Sequence, residues 1–111
     1  MINADDVHAL GITGLGIEVA VLDTGIDTDH PDLADDLLSQ SCFTTDSSCP
    51  GVLSSCSGPG CAEDGNGHGT HVSGIITGGG VVGPLGVAPD AGIRAYKVFN
   101  ADGLAYDSAL L

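Results

Sequence analysis

Three residues stand out for the chemistry their types and spacing could support. Asp23 closes the apolar run GIEVAVLD (residues 16–23) and is followed by Thr-Gly. His68 and His71 lie three apart in GNGHGTHVSG (residues 65–74), a stretch of glycine and small residues. A carboxylate at the end of a buried strand needs a partner, because ionisation in an apolar setting is costly. Imidazole is the side chain whose charge changes near neutral pH, and at His68 a helix start that disfavours the charged form and a carboxylate that favours it could together suit it to act as a general base. The glycines beside His68 let backbone and substrate come close. Metal binding is the rival reading of the two histidines. The zinc helix pattern puts histidines four apart with Glu between them, whereas here they enclose Gly-Thr. His71, and His30 before Pro31, are read as structural, with His71 turned toward the core.

These side chains need elements to hold them. GIEVAVLD is rich in β-branched residues and bounded by turn signals, which predicts a buried strand. GTHVSGIIT predicts a helix starting at the histidines and broken by GGGVVGP. IRAYKVF (93–99) predicts a second strand, turned by NADG. NADDVHALG predicts a short helix with Asn3 as its cap, Asp5 and Asp6 at the positive end of its dipole, and Gly11 closing it. Residues 34–64 carry little periodic pattern. Strand, loop, helix, strand in this order predicts an α/β domain with a parallel sheet and flanking helices. Functional groups in such sheets collect at the carboxyl ends of the strands, where Asp23 sits.

At 111 residues the chain has room for one small domain. It has 15 acidic and 2 basic side chains, Arg94 and Lys97, for a net charge of −13. Such a chain is repelled by phosphate backbones and anionic lipid, which argues against nucleic-acid and membrane-surface roles. The acidity fits a hydrated surface, adaptation to salt, or binding of a hard cation such as calcium. No apolar stretch reaches the ~20 residues of a membrane span. The opening MINADD has neither the basic nor the apolar region of a signal peptide. Cysteines 42, 49, 56 and 61 fall in the polar segment CFTTDSSCPGVLSSCSGPGC, with no C-x-x-C pair. Their even count predicts two disulfides within the segment, with three pairings open, and an oxidising compartment.

VAVLDTGIDTDHPDL, GNGHGTHVSGII and GVAPDAGIRAYKVFNADG occur in this order. Together they resemble the first part of the subtilisin-like serine protease (subtilase) family. The resemblance covers almost the whole chain, apart from a cysteine-rich insertion at about residues 42–61. It implies a partial subtilisin-like three-layer α/β domain, with residues 1–111 forming the N-terminal portion of the peptidase domain. It also implies a secreted endopeptidase, monomeric in full-length form, that hydrolyses protein or peptide substrates through an Asp-His-Ser triad. Asp23 matches the catalytic aspartate, His68 the catalytic histidine, and His71 a structural one. Asp32, in HPDL, matches a position that often ligates calcium, although the loop TGGGVVGP offers only backbone carbonyls for such a site. The chemistry itself requires no cofactor. Asp102–Ala105 matches an edge segment that pairs with substrate backbone, with Gly103, Leu104 and Ala105 as the contacts. Ser73 stands where the family usually has a small residue, and reads as packing. The family's nucleophilic serine, in a G-T-S-M-A-type motif, its oxyanion asparagine, and the signal and propeptide that precede this region in the family have no counterpart in these residues, so the sequence reads as a piece cut at both ends. Two other readings compete. AVLDTG also resembles the aspartic-protease signature, but that leaves HGTHVSG and GVAPDA unexplained. A non-catalytic, acidic, disulfide-stapled extracellular module that binds calcium would account for the charge and the cysteines.

Overall fold

A computed structural model describes residues 2–105. The apolar run forms strand β1, Glu18–Asp23. Leu37–Phe43 is β2, Ser55–Ser57 is β3, His68–Thr77 is helix α2, and Gly92–Lys97 is β4. A short helix, α1, Ala4–His8, precedes them. The sheet order is β1-β4-β2-β3. β4 pairs in parallel with β1 on one side, from Glu18 opposite Gly92 to Asp23 opposite Lys97, and with β2 on the other.

β3 runs antiparallel to β2, with Cys42 opposite Cys56, so the sheet is mixed and not wholly parallel. Strands returning through a local connection pair antiparallel, whereas parallel neighbours need a long crossover. Both β2 and β3 arise in the segment without periodic pattern. LLSQSCF is mostly polar after its first two residues, and it becomes a strand because β4 offers it a free ladder edge. The cysteine segment is therefore part of the sheet as well as loop. Its disulfides join sequence neighbours, Cys42 to Cys49 and Cys56 to Cys61.

β4 lies inside the sheet and its side chains alternate, with Ile93, Ala95 and Lys97 buried. Ile93 and Ala95 join Val21, Ile26, Leu33 and Ala62 in the core, against which Val72 and Ile76 of α2 pack. The helix buries Gly69, Ser73 and Thr77, a stripe four residues apart along one face. These are small side chains, and they let the helix axis come close to the sheet. α1 buries no residue. Asn3 does not cap it through its side chain; its backbone is left-handed, with φ 51°. Several apolar side chains stay open to solvent, including Leu22 at 51% and Ile75 at 54%. No helix among the described residues is long and apolar enough to cross a membrane.

Two substitutions of buried residues should differ sharply in their effect on stability. Ile93 is fully buried, so Ile93→Ala is expected to lower the unfolding free energy by about 2–5 kcal/mol. The Ser73 hydroxyl is buried without a hydrogen-bond partner. Ser73→Ala should therefore be neutral or stabilising by up to ~1 kcal/mol. Urea titration followed by circular dichroism measures both, and a Ser73→Ala loss comparable to that of Ile93→Ala would refute the packing description.

Candidate active site

Asp23 is the last residue of β1, and its backbone is pinned by the strand beside it. Its carbonyl accepts the amides of Val98 at 2.9 Å and Phe99 at 3.2 Å, which continue from β4. Its side chain, 14% exposed, turns toward the start of α2. There the Nδ1–H of His68 donates to Asp23 Oδ1 at 2.8 Å, with Oδ2 at 3.0 Å. Oδ1 also accepts the Thr24 amide at 2.7 Å. With Nδ1 donating, the lone pair of the imidazole is on Nε2, and the ring is 66% exposed. The residues that the sequence singles out, 45 apart in the chain, thus form one hydrogen-bonded pair with its basic atom open to a reactant.

The start of α2 explains how the pair is held. A helix begins with amides that have no partner within it. Here the His68 amide donates to Asn66 Oδ1 at 3.2 Å, Gly69 to Thr24 Oγ1 at 2.9 Å, and Thr70 to Asp64 Oδ2 at 3.0 Å. Asp64 does more. Its Oδ1 accepts the amides of Asn66 and Gly67, each at 2.9 Å, and the Thr24 hydroxyl, also at 2.9 Å, while Oδ2 accepts the Thr70 hydroxyl at 2.6 Å. One carboxylate therefore binds the residue after Asp23 and the residues on both sides of His68. Partial burial opposes its ionisation, but the Gly67 amide, the Thr70 hydroxyl and the other donors outweigh that and hold its carboxyl well below the ordinary carboxylate range. Sequence reading passes over Asp64. The available signal is its place four residues before His68, in a D-G-N-G run whose short polar side chains bond to nearby amides.

Gly69 is required by contact. A β-carbon there would lie 2.1 Å from the Gly25 carbonyl oxygen and 3.1 Å from Asp23 Oδ1. The second residue of the His-Gly-Thr run must be glycine for helix and strand end to approach this closely.

His71 departs from its expected orientation. It is exposed and does not face the core. At 100° per residue it lies about 200° around the helix from Gly69 and from Ser73, opposite the buried stripe. It opens instead onto a cavity of about 430 Å³ that is also lined by His30, Asp32, Ile75, Leu85 and Val87. A second cavity, of about 210 Å³, joins Asp23, Thr24, Asn66 and His68 to Phe99 and Gly103. Gly103 thus reaches the Asp23–His68 pair, and exposed Leu104 and half-buried Ala105 follow it along the chain.

Asp32 lies apart from this pair and is itself buried. Its Oδ1 accepts the Val81 amide at 2.6 Å, and its Oδ2 those of Val82 and Gly83 at 3.0 and 2.9 Å. These amides, that of Gly83 foremost, keep its carboxyl below the usual range. A calcium ion needs six to eight oxygen ligands. The three amides make Asp32 an anchor for the 81–83 loop, and among the described residues no group of three or more His, Cys, Asp or Glu is placed to hold a metal ion.

An α/β domain with an Asp-His pair at the carboxyl end of its first strand is what the fold and the site define. The Subtilase family model (peptidase S8) matches residues 14–110. The chain belongs to that family. It is 45% identical over 103 residues to Subtilisin BL of Lederbergia lenta, covering 92% of this chain and 33% of that protein. It is 41% identical over 106 residues to the Major intracellular serine protease of Bacillus subtilis (strain 168), covering 92% of this chain and 30% of that one. Among solved structures, Sphericase superposes with a TM-score of 0.74 at 40% identity, covering 88% of this chain and 30% of that chain. The chain thus spans about a third of the length of these relatives.

Two outcomes test how the pair is held. Gly69→Ala is expected to cost about 1–3 kcal/mol through overpacking and to separate Asp23 from His68. The check is loss of the downfield Nδ1 proton resonance of His68 in the variant. Asp64 has a lowered pKa in the folded protein, so its contribution is present above the unfolded carboxylate pKa, near 4, and is lost as pH falls toward the folded value. Asp64→Asn should then destabilise by roughly 1–3 kcal/mol at pH 7, with the difference shrinking below pH 4. A difference that stays flat from pH 7 to pH 2 in denaturant titrations would refute the role assigned to the carboxylate.

Proposed function

We propose that these residues supply the general base and its orienting carboxylate to a serine endopeptidase. The observation that carries this reading is the 2.8 Å bond from His68 Nδ1 to Asp23, which leaves Nε2 as an exposed acceptor. In the complete domain a serine hydroxyl set against Nε2 gives up its proton there as its oxygen attacks a peptide carbonyl. The imidazolium so formed is stabilised by Asp23. It returns the proton to the departing amine, leaving an acyl-enzyme that water hydrolyses by the same route. Side chains and water carry all of these steps.

Among the described residues, no hydrogen bond joins a serine hydroxyl to His68. The described residues therefore contribute two parts of the mechanism. The substrate is an extended segment of protein or peptide. Gly103, Leu104 and Ala105 receive its backbone by strand addition, in which main-chain bonds give affinity and side-chain pockets give preference. The two disulfides support a secreted protein, since such bonds persist in oxidising compartments. Family membership alone does not decide location, because one relative is named as intracellular. The domain acts as a monomer.

The test uses the protein in its complete form and residues 1–111 separately. In the complete protein His68→Ala is expected to lower kcat by about 10⁶-fold with KM changed little, and to abolish labelling by a fluorophosphonate. Residues 1–111 alone should neither hydrolyse casein nor take the label. Labelling of a serine within 1–111, or full activity of the His68→Ala variant, would overturn the reading.

A further inference from the structure

The cysteine-stapled loop reaches the segment that carries Gly103 and Leu104 through one side chain. Asn100 opens a turn in which its amide donates to the Leu104 carbonyl at 2.9 Å and the Gly103 amide donates to the Asn100 carbonyl at 3.0 Å. Its side-chain oxygen accepts two more amides, Asp102 at 3.0 Å and Leu104 at 2.9 Å. The Asn100 side chain can serve the turn only with its oxygen facing inward and its NH₂ group facing out. That NH₂ donates to Asp46 Oδ2 at 2.9 Å. An ionised carboxylate only accepts, so it selects this one of the two amide orientations.

Asp46 is in turn held by the ring that Cys42–Cys49 closes. Its Oδ1 accepts the Ser48 amide at 3.2 Å and the Ser48 hydroxyl. The Ser48 amide also reaches Thr44 Oγ1, which contacts Cys49 Sγ. Cys42 itself is a β2 residue paired opposite Lys97, three residues before Asn100. Both ends of the Asp46–Asn100 bond are thus tied to the β2–β4 ladder. A second tie, from Asn66 Nδ2 to the Ala101 carbonyl at 2.9 Å, fixes the position of the turn but does not set the orientation of the Asn100 amide.

We propose that Asp46 is a positioning residue: presented by the Cys42–Cys49 ring, it fixes Asn100 and so shapes the 100–104 turn that receives the substrate backbone. This rests on the reading of Gly103–Ala105 as the substrate edge. Asp46 touches no reacting atom, so it acts on binding and not on proton transfer.

The experiment compares Asp46→Lys with Asp46→Asn in the complete protein. Lysine is a donor only, so it favours the flipped Asn100 amide, which turns NH₂ against the amides of Asp102 and Leu104. Asparagine keeps an acceptor oxygen and serves as the conservative rescue. Hydrogen exchange read by mass spectrometry over residues 99–105 is expected to accelerate about three- to tenfold in Asp46→Lys and less than twofold in Asp46→Asn. KM for a peptide substrate should rise about three- to tenfold in Asp46→Lys, with kcat within twofold. Cys42→Ser combined with Cys49→Ser should move both readouts in the same direction. Exchange over 99–105 that is unchanged in Asp46→Lys would overturn the proposal. So would faster exchange with an unaltered KM, because the turn would then not be the substrate edge. The exchange measurement needs no catalysis, so an inactive parent protein would sink the proposed function while exchange still decided whether Asp46 holds the turn.

Discussion

The carboxylate of Asp64 joins the end of a strand to the start of a helix, and the Asp23–His68 geometry depends on that junction. Strand ends and helix starts are where backbone polar groups lack partners within their own element. Here the Thr24 hydroxyl, the Gly67 and Thr70 amides and the Thr70 hydroxyl all meet one acidic side chain. Thr24 completes the connection, since its hydroxyl donates to Asp64 and accepts the Gly69 amide. Asp23 and His68 each sit next to a residue in this network. A bond of 2.8 Å between side chains 45 residues apart therefore follows from main-chain satisfaction as much as from mutual attraction. Gly25 and Gly69 allow the same approach by leaving no β-carbon in the way.

The charge composition gives this device a wider meaning. With 15 acidic side chains and 2 basic ones, ion pairing cannot neutralise the carboxylates. Arg94 is spent on an exposed pair with Glu18, a kind of contact that adds little in water. Lys97 is buried and donates to the Thr24 carbonyl at 2.7 Å, directly under the site. Its burial lowers its pKa, and the charges of Asp64 and Glu63 oppose that. The remaining work falls to amides, most of them of the backbone. Asp32 takes three of them from the 81–83 loop, Asp64 takes three around the helix start, and Asp46 takes a side-chain amide from Asn100. A loop that carries such an acid is anchored by these amides.

The parts of this arrangement differ in how far the sequence announces them. Asp23 and His68 were legible, because a carboxylate ending an apolar run and a histidine in a glycine-rich helix start are chemically conspicuous. β1, α2 and β4 were legible for the same reason, each having its own apolar pattern. Asp64 was not, since its role is to accept amides, and any loop aspartate has that capacity; only the fold decides which amides arrive. β2 escaped because LLSQSCF owes its strand state to a neighbour some fifty residues further along the chain. The orientation of His71 escaped because reading it as a structural histidine took no account of its phase around the helix. The phase that matters is set by Gly69, Ser73 and Thr77, and it was available in the sequence as a run of small residues four apart.

These contacts also separate two functions of the structure. The elements that orient His68 are β1, the end of β4 and residues 64–70, and all of them are packed within the described chain. The opposite side of α2, with Ile75 exposed beside the cavity lined by His71, Leu85 and Val87, takes no part in orienting the imidazole. Exposed apolar side chains on that side of the helix offer a packing surface. On the function proposed above, a nucleophile would meet a base whose tautomer and direction are already set. The ordering cost of the base is then met during folding of this part, and it need not be supplied again when substrate binds.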